Sequence, residues 1–224
     1  NTTGYYNTAS GYKSLEQNTT GSLNSAFGYQ ALNANTIGFQ NTADGIFALA
    51  SNVDGDGNTA TGFAALTANT TGESNVALGS FAANLNTTGN DNIALGTNAM
   101  NGNTIGNNNV VVGSQALSNS NSVSDTVAVG YQALRLNTTG TNNNAVGYRS
   151  LYSNTTGRFN TSSGYEALFS NTTGDANTGS GYHSLYSNTQ GSGNSAYGDN
   201  SMFWNTTGFF TRHLSAAVPR PIKS

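Results

Sequence analysis

The chain has 224 residues, of which 8% are charged, with seven Lys plus Arg and a net charge of −3. The few basic residues are scattered from Lys13 and Arg135 to Arg220 and Lys223, which leaves no electrostatic footprint for phosphate and excludes nucleic acid as a partner. The absence of cysteine excludes a disulfide framework and a thiolate metal site, and no apolar run reaches the ~18 residues of a membrane-crossing helix, so no membrane span is expected in this segment.

From Asn1 onward the chain reads as one unit repeated, and the first residue already lies inside a copy, so the numbering is expected to begin mid-protein with what precedes Asn1 left open. Coil one, Asn1 to Gln17, carries both marks of the unit. Gly11 starts a column that steps by seventeen through Gly28, Gly45, Gly62, Gly79, Gly96, Gly113, Gly130, Gly147, Gly164, Gly181 and Gly198 without a miss. Gly4 starts a second column, the last residue of N-T-T-G, that runs to Gly208 and breaks once, at Val123. Of the 28 glycines only Gly57, Gly102, Gly179 and Gly193 fall outside these columns, so glycine serves geometry here. An unbroken short period points to one solenoid, and it rules out the disorder that a composition rich in Asn, Ser, Gly and Thr would otherwise allow.

Each coil divides into three parts. The segment N-T-A-x-G-Y is too short and alternates too tightly for a helix, and its small inward residues suit a strand facing a narrow interior. Four residues after the strand glycine stands a large apolar side chain: Leu15, Leu32, Leu49, Leu66, Met100, Leu117, Leu134, Leu151, Leu168 and Leu185, with Ala83 the small exception. This is the expected core ladder, each rung contributing ~1.5–3 kcal/mol, and a break at Leu117 is expected to do most damage. The N-T-T-G element is the expected corner, with turn glycines Gly21, Gly72, Gly89, Gly140, Gly157 and Gly174. Asn and Gly would take positive φ there, and Thr and Asn would cap neighbouring backbone groups. Twelve steps of one strand spacing, ~4.8 Å, give a rod of roughly 60 Å.

The middle coils differ from the rest. Around the strand glycine they read Val76-Ala77-Leu78, Ile93-Ala94-Leu95, Val110-Val111-Val112 and Val127-Ala128-Val129, apolar on both strand faces. A strand apolar on both faces is buried on both, and an identical chain around a symmetry axis supplies the second surface. Val76, Leu78, Ile93, Leu95, Val110, Val112, Val127 and Val129 are therefore the candidate contacts between copies. Toward the ends Ser10, Asp44, Thr61, Ser163 and Ser180 replace them, and looser packing or enclosed water is expected there. The next column holds Tyr12, Tyr29, Ile46, Phe63, Tyr131, Tyr148, Tyr165 and Tyr182 at the ends but Ser80, Thr97 and Ser114 in the middle. That exchange reads as volume compensation within a packed layer, with a surface stripe for stacking on sugars as the alternative.

The pattern lapses after Gly208: Ser215 stands where the column demands glycine, His213 where alanine belongs, and Pro219 and Pro221 close the chain. The expected division is a β-solenoid domain over 1–208 and an irregular cap or tail over 209–224.

Little here suggests chemistry. His183 and His213 are the only histidines, the repeat encodes no fixed acid and base, and neither an enzyme, a cofactor nor a metal site is expected. Asp54-Gly55-Asp56-Gly57-Asn58 resembles a calcium-loop fragment, but it occurs once, lacks a later Glu and reads better as a solvated turn. Sequons at Asn1, Asn18, Asn69, Asn86, Asn137, Asn154, Asn160, Asn171 and Asn205 leave glycosylation open, with turn chemistry the simpler reading. Stacked Thr138, Thr155 and Thr172 would suit ice binding, although breaks at Val53, Asn121 and Gln190 oppose it.

The motifs Asn75-Val76-Ala77-Leu78-Gly79, Asn92-Ile93-Ala94-Leu95-Gly96 and Asn143-Asn144-Ala145-Val146-Gly147 resemble the N-x-A-[VI]-G signature of YadA-like head repeats, found in trimeric autotransporter adhesins and, in similar form, in phage tail fibres. The resemblance covers about residues 1–208 and implies a left-handed β-roll, a parallel homotrimer and attachment to a surface. Here the unit is longer, with G-Y-x-A-L and N-T-T-G elements closer to fibre variants, and no YadA-type neck or membrane anchor is visible in this segment, so bacterial and phage carriers stay open. The expectation is thus an all-β parallel solenoid of 12–13 coils of seventeen residues, acting as an extracellular structural or adhesive segment. Rows of Asn, Thr and Tyr would meet a glycan or cell-surface receptor many times over. The alternatives are a monomeric ice- or carbohydrate-binding solenoid and a pure spacer.

Overall fold

The computed structural model describes residues 1–214. Thirteen strands of three residues run from β1 (Thr8–Ser10) to β13 (Arg212–Leu214) and lie side by side in chain order in one parallel sheet. Val76 of β5 (Val76–Leu78) sits beside Ile93 of β6 (Ile93–Leu95), then Val110 of β7 (Val110–Val112) and Val127 of β8 (Val127–Val129). Partners always lie seventeen positions apart, so the expected solenoid of 17-residue coils is the architecture found.

Local backbone explains why the strands stop so soon. Gly147, which follows β9 (Asn144–Val146), has φ 135°, a conformation closed to other residues. Its N–H still donates to the Val129 carbonyl of the coil before (2.8 Å). Two and four residues on, Arg149 (φ 48°) and Leu151 (φ 54°) are left-handed; the Arg149 N–H reaches back to the Tyr131 carbonyl (3.0 Å) and the Leu151 N–H forward to that of Ala167 (2.9 Å). Corner backbone is thus tied to both neighbouring coils, as a buried chain requires. A left-handed leucine costs about 1–2 kcal/mol, and burying its side chain returns about 1.5–3 kcal/mol, so the core rung holds its own strained backbone in place. Leu32, Leu49, Leu66, Met100, Leu117, Leu134, Leu151, Leu168 and Leu185 are fully buried and Leu15 nearly so.

Beside the leucine and alanine columns the interior holds asparagine, whose N-T-T-G copies are expected from the sequence to cap the corner. In one ladder the Asn of N-T-T-G points inward: Asn154 Nδ2 donates to Asn137 Oδ1 (2.7 Å) and to the Gly157 carbonyl (2.9 Å). In the other the Asn before each strand does so: Asn160 Nδ2 donates to the Gly174 carbonyl (2.9 Å), while its backbone N–H donates to Asn143 Oδ1 (3.0 Å). The expected positive φ at these corners is not found. Gly21, Gly72, Gly89, Gly140, Gly157 and Gly174 all lie outside the left-handed region, and none of the N-T-T-G asparagines enters it. Space is what demands glycine: a Cβ on Gly140 would lie 2.6 Å from Asn137 Oδ1 and 2.8 Å from Asn154 Nδ2.

One seam breaks both ladders. Ser120, Val123 and Thr126 stand where the coils on either side have Asn, Gly and Asn. Val123 is fully buried, its N–H takes Asn103 Oδ1 (2.9 Å), Ser120 Oγ turns to the Leu117 carbonyl (3.1 Å), and Asn86 Oδ1 is left without a partner. The three changes compensate one another, because an Asn at 120 would collide with the Val123 side chain. Ser120→Asn alone is therefore expected to destabilise by about 1–3 kcal/mol, and Val123→Gly in the same chain to recover most of the loss. Urea unfolding of the two singles and the double checks this, and additive effects would refute it.

Two expectations about the ends change. Ser10, Asp44, Thr61, Ser163 and Ser180 lie on the outer side of their strands, next to buried Ala26, Ala43, Ala60 and Ser162 in the interior column, so the polar rows loosen no core. The stack also runs past Gly208, since Arg212–Leu214 pair in register with Ser195–Tyr197. The remainder of the expected cap, with Ser215, Pro219 and Pro221, lies outside the described residues.

Candidate functional site

Because every strand but the first and last buries only its middle residue, two rows of side chains emerge along the outside of the sheet. Through β5–β8 both rows are aliphatic. Val76 is 36% exposed, Leu78 51%, Ile93 and Val110 37%, while Leu95, Val112, Val127 and Val129 are half-buried. Ala77, Ala94, Val111 and Ala128 fill the interior between them. The eight residues expected to contact another copy thus form one continuous apolar face, bordered by Thr59 and Thr61 on one side. A contiguous apolar patch of this kind on a polar, weakly charged protein marks an interaction surface.

The tyrosine column lies outside the core, which overturns the packed-layer reading. Tyr131 is 43% exposed, and Tyr148, Tyr165 and Tyr182 follow it in a surface stack with centroids 4.9–5.6 Å apart and planes within 11–18°. A second stack, Tyr152, Phe169, Tyr186 and Phe203, runs beside it at 4.9–5.2 Å. Neighbouring rings cover one another's faces, so along most of each stack only edges and hydroxyls are offered to a ligand. Between the stacks, Arg149 Nε donates to Gln132 Oε1 (3.0 Å), and Glu166 lies 4.0 Å from Arg149 and 3.1 Å from His183 Nε2. Burial, then the Glu166 carboxylate, push the Tyr186 phenol up, with Arg149 acting the other way. The His183–Glu166 pair is walled by Tyr182 (3.9 Å), Tyr186 (4.8 Å) and Phe203 (5.7 Å), an arrangement that packs the imidazole and leaves little room for a reacting group.

The corner face is threonine. The first Thr of each N-T-T-G is tied down, as Thr138 Oγ1 donates to the Thr155 carbonyl (2.8 Å) and Thr155 Oγ1 to that of Thr172 (3.0 Å). The protons of these hydroxyls serve the backbone, which leaves their oxygens as acceptors only. The second Thr, as in Thr20, Thr71, Thr88, Thr139, Thr156 and Thr173, is exposed. The sequon asparagines Asn18, Asn69, Asn86, Asn137, Asn154, Asn160 and Asn171 are buried with Nδ2, the atom a glycan would occupy, donating inside the ladders. A row of asparagines offered to a receptor is therefore withdrawn: those side chains are interior.

Two of the acidic residues serve the backbone as well. Asp56 and Glu73 stand on successive rungs of one column, and Asp56 Oδ1 accepts the Phe39 N–H (2.8 Å) as Asp175 Oδ1 accepts that of Arg158 (2.7 Å). Burial pushes the Asp56 carboxyl up, partly offset by that hydrogen bond. No group of three His, Cys, Asp or Glu that could hold a metal occurs among the described residues, nor does any helix long and apolar enough to cross a membrane. No protein-family model, curated protein or solved structure matches the chain.

Proposed function

We propose that the chain is a segment of an extracellular fibre, a structural and adhesive rod that assembles as a parallel homotrimer of the YadA-like kind. The apolar face on β5–β8 carries this reading. Its eight aliphatic side chains stand in register in two straight rows, and a copy related by an axis along the rod meets them with the same rows. The buried asparagine ladders and the low charge suit a stiff element outside the cell. Attachment runs through the exposed second threonines and the tyrosine edges, each contact weak and repeated along the rod.

Light scattering on the purified chain at micromolar concentration tests the assembly. The expected particle is three times the 23.0 kDa of one chain, and Leu95→Asp with Val112→Asp is expected to reduce it to one. A monomeric parent chain would sink the proposal.

A further inference from the structure

The aromatic surface has a gap. In the first coils Tyr29, Phe47, Phe63 and Phe81 pack edge to face, and rings resume only at Tyr131 and Tyr152. Between them the tyrosine column carries Ser80, Thr97 and Ser114 and the Tyr152 column carries Asn101, Ser118 and Arg135, and an open groove of about 190 Å³ lies along this second, ring-free column. Asn98, Asn101, Gln115, Ser118, Asn119 and Arg135 line it.

The lining is built to hold a ligand rich in oxygen. Asn101 Nδ2 is fixed on the Phe81 carbonyl (3.1 Å) and Gln115 Oε1 takes Gln132 Nε2 (2.8 Å), which orients both amides. Arg135 Nη1 donates to the Tyr152 hydroxyl (3.1 Å), its Nε is buried without an acceptor, and no carboxylate pairs with it among the described residues. Arg149 one coil on, by contrast, has both Glu166 and Gln132. A guanidinium held in place and left uncompensated at the wall of an amide-lined groove selects a planar anion that can take two of its N–H groups. Gln132, which holds Gln115, also donates to the Tyr131 hydroxyl (3.2 Å).

We propose that this groove binds the carboxylate-bearing ring of an acidic saccharide. Arg135 takes the carboxylate, and Asn98, Gln115 and Asn119 take ring hydroxyls. At about 190 Å³ the groove falls below the roughly 300–1,000 Å³ of pockets that engulf whole ligands, so it grips one residue of a longer glycan. This rests on the reading of the chain as an attachment fibre, in which three copies would each contribute one groove and gain by avidity.

Calorimetric titration of the intact chain with sialyllactose and with trigalacturonate, against lactose as the neutral counterpart, tests it. Saturable binding is expected for at least one acidic probe, with lactose about tenfold weaker or more. Arg135→Gln is expected to weaken the acidic probe by a similar factor and Arg158→Gln to leave it unchanged. Gln115→Ala, also in the lining, serves as a second variant if Arg135→Gln misfolds, and is expected to weaken binding severalfold. Equal affinity for lactose, no saturable binding of either acid, or binding untouched by both groove variants overturns the proposal. Light scattering on the same samples separates the two readings: a trimer that ignores acidic sugars removes the groove alone, and a monomer that binds them removes the assembly alone.

Discussion

Gly79→Ala is expected to destroy the middle of the rod. Gly79 has φ 132°, and a Cβ there would lie 2.7 Å from the Gly96 carbonyl carbon, 2.8 Å from its oxygen and 3.1 Å from the Thr97 nitrogen, all backbone atoms of the next coil. Strained backbone contributes about 1–3 kcal/mol of destabilisation and the overlap a similar amount. In a stack where each coil touches only its neighbours, a lesion at the fifth strand also uncouples the coils on either side. Circular dichroism during heating should show a transition lowered by many degrees, or split in two. Gly57→Asn is the control. Gly57 is also left-handed, at φ 65°, but its nearest atom to a Cβ is Ser74 Oγ at 3.8 Å, and Ser74, Asp91 and Asn108 hold the same conformation one to three coils on. Little change is expected from it, and equal damage from both substitutions would refute the argument from space.

Asn171→Leu is expected to destabilise as much as truncating a core leucine, although it exchanges a polar side chain for an apolar one of similar size. Asn171 Nδ2 donates to Asn154 Oδ1 (2.9 Å) and to the Gly174 carbonyl (3.0 Å), and its Oδ1 accepts Asn188 Nδ2 (2.9 Å). The Gly174 carbonyl keeps Asn160 Nδ2, but Asn154 and Asn188 are each left with one buried polar atom lacking this partner. Each such atom costs about 1–3 kcal/mol, so the loss should be roughly 2–5 kcal/mol, in the range of Leu→Ala in a core. Urea midpoints for Asn171→Leu and Leu117→Ala allow the comparison. A leucine variant as stable as the parent would mean that the ladders add nothing to the core.

These two substitutions touch the part of the structure that the sequence reveals least. The period, the core leucines and the parallel register are legible because stacking identical units forces identical spacing, so a column of Leu15, Leu32 and Leu49 has one physical explanation. Asparagine is ambiguous. Beside Thr and Gly it signals a turn, and nothing in N-T-T-G taken alone says that the amide points inward. The signal lies in the exception: Ser120, Val123 and Thr126 change in a single coil, which makes sense only if the three columns share one interior space. The outward tyrosines escaped for a related reason. Alternation by two places a residue on a face only while the chain remains extended, and the strand glycine ends that extension one residue before Tyr131.

The asparagine ladders also give the rod a direction. In the corner ladder every amide bond between coils runs the same way, from Nδ2 of one Asn to Oδ1 of the Asn seventeen residues earlier, as in Asn188 to Asn171 to Asn154 to Asn137. Aligned dipoles of this kind polarise one another and add along the axis, with the positive pole toward the N-terminal coil, much as peptide dipoles add in a helix. The seam at Ser120 divides the row into two shorter ones of the same sense. Two rods approaching end to end would therefore meet with opposite poles only when both point the same way, an electrical preference for head-to-tail order that is independent of any charged side chain.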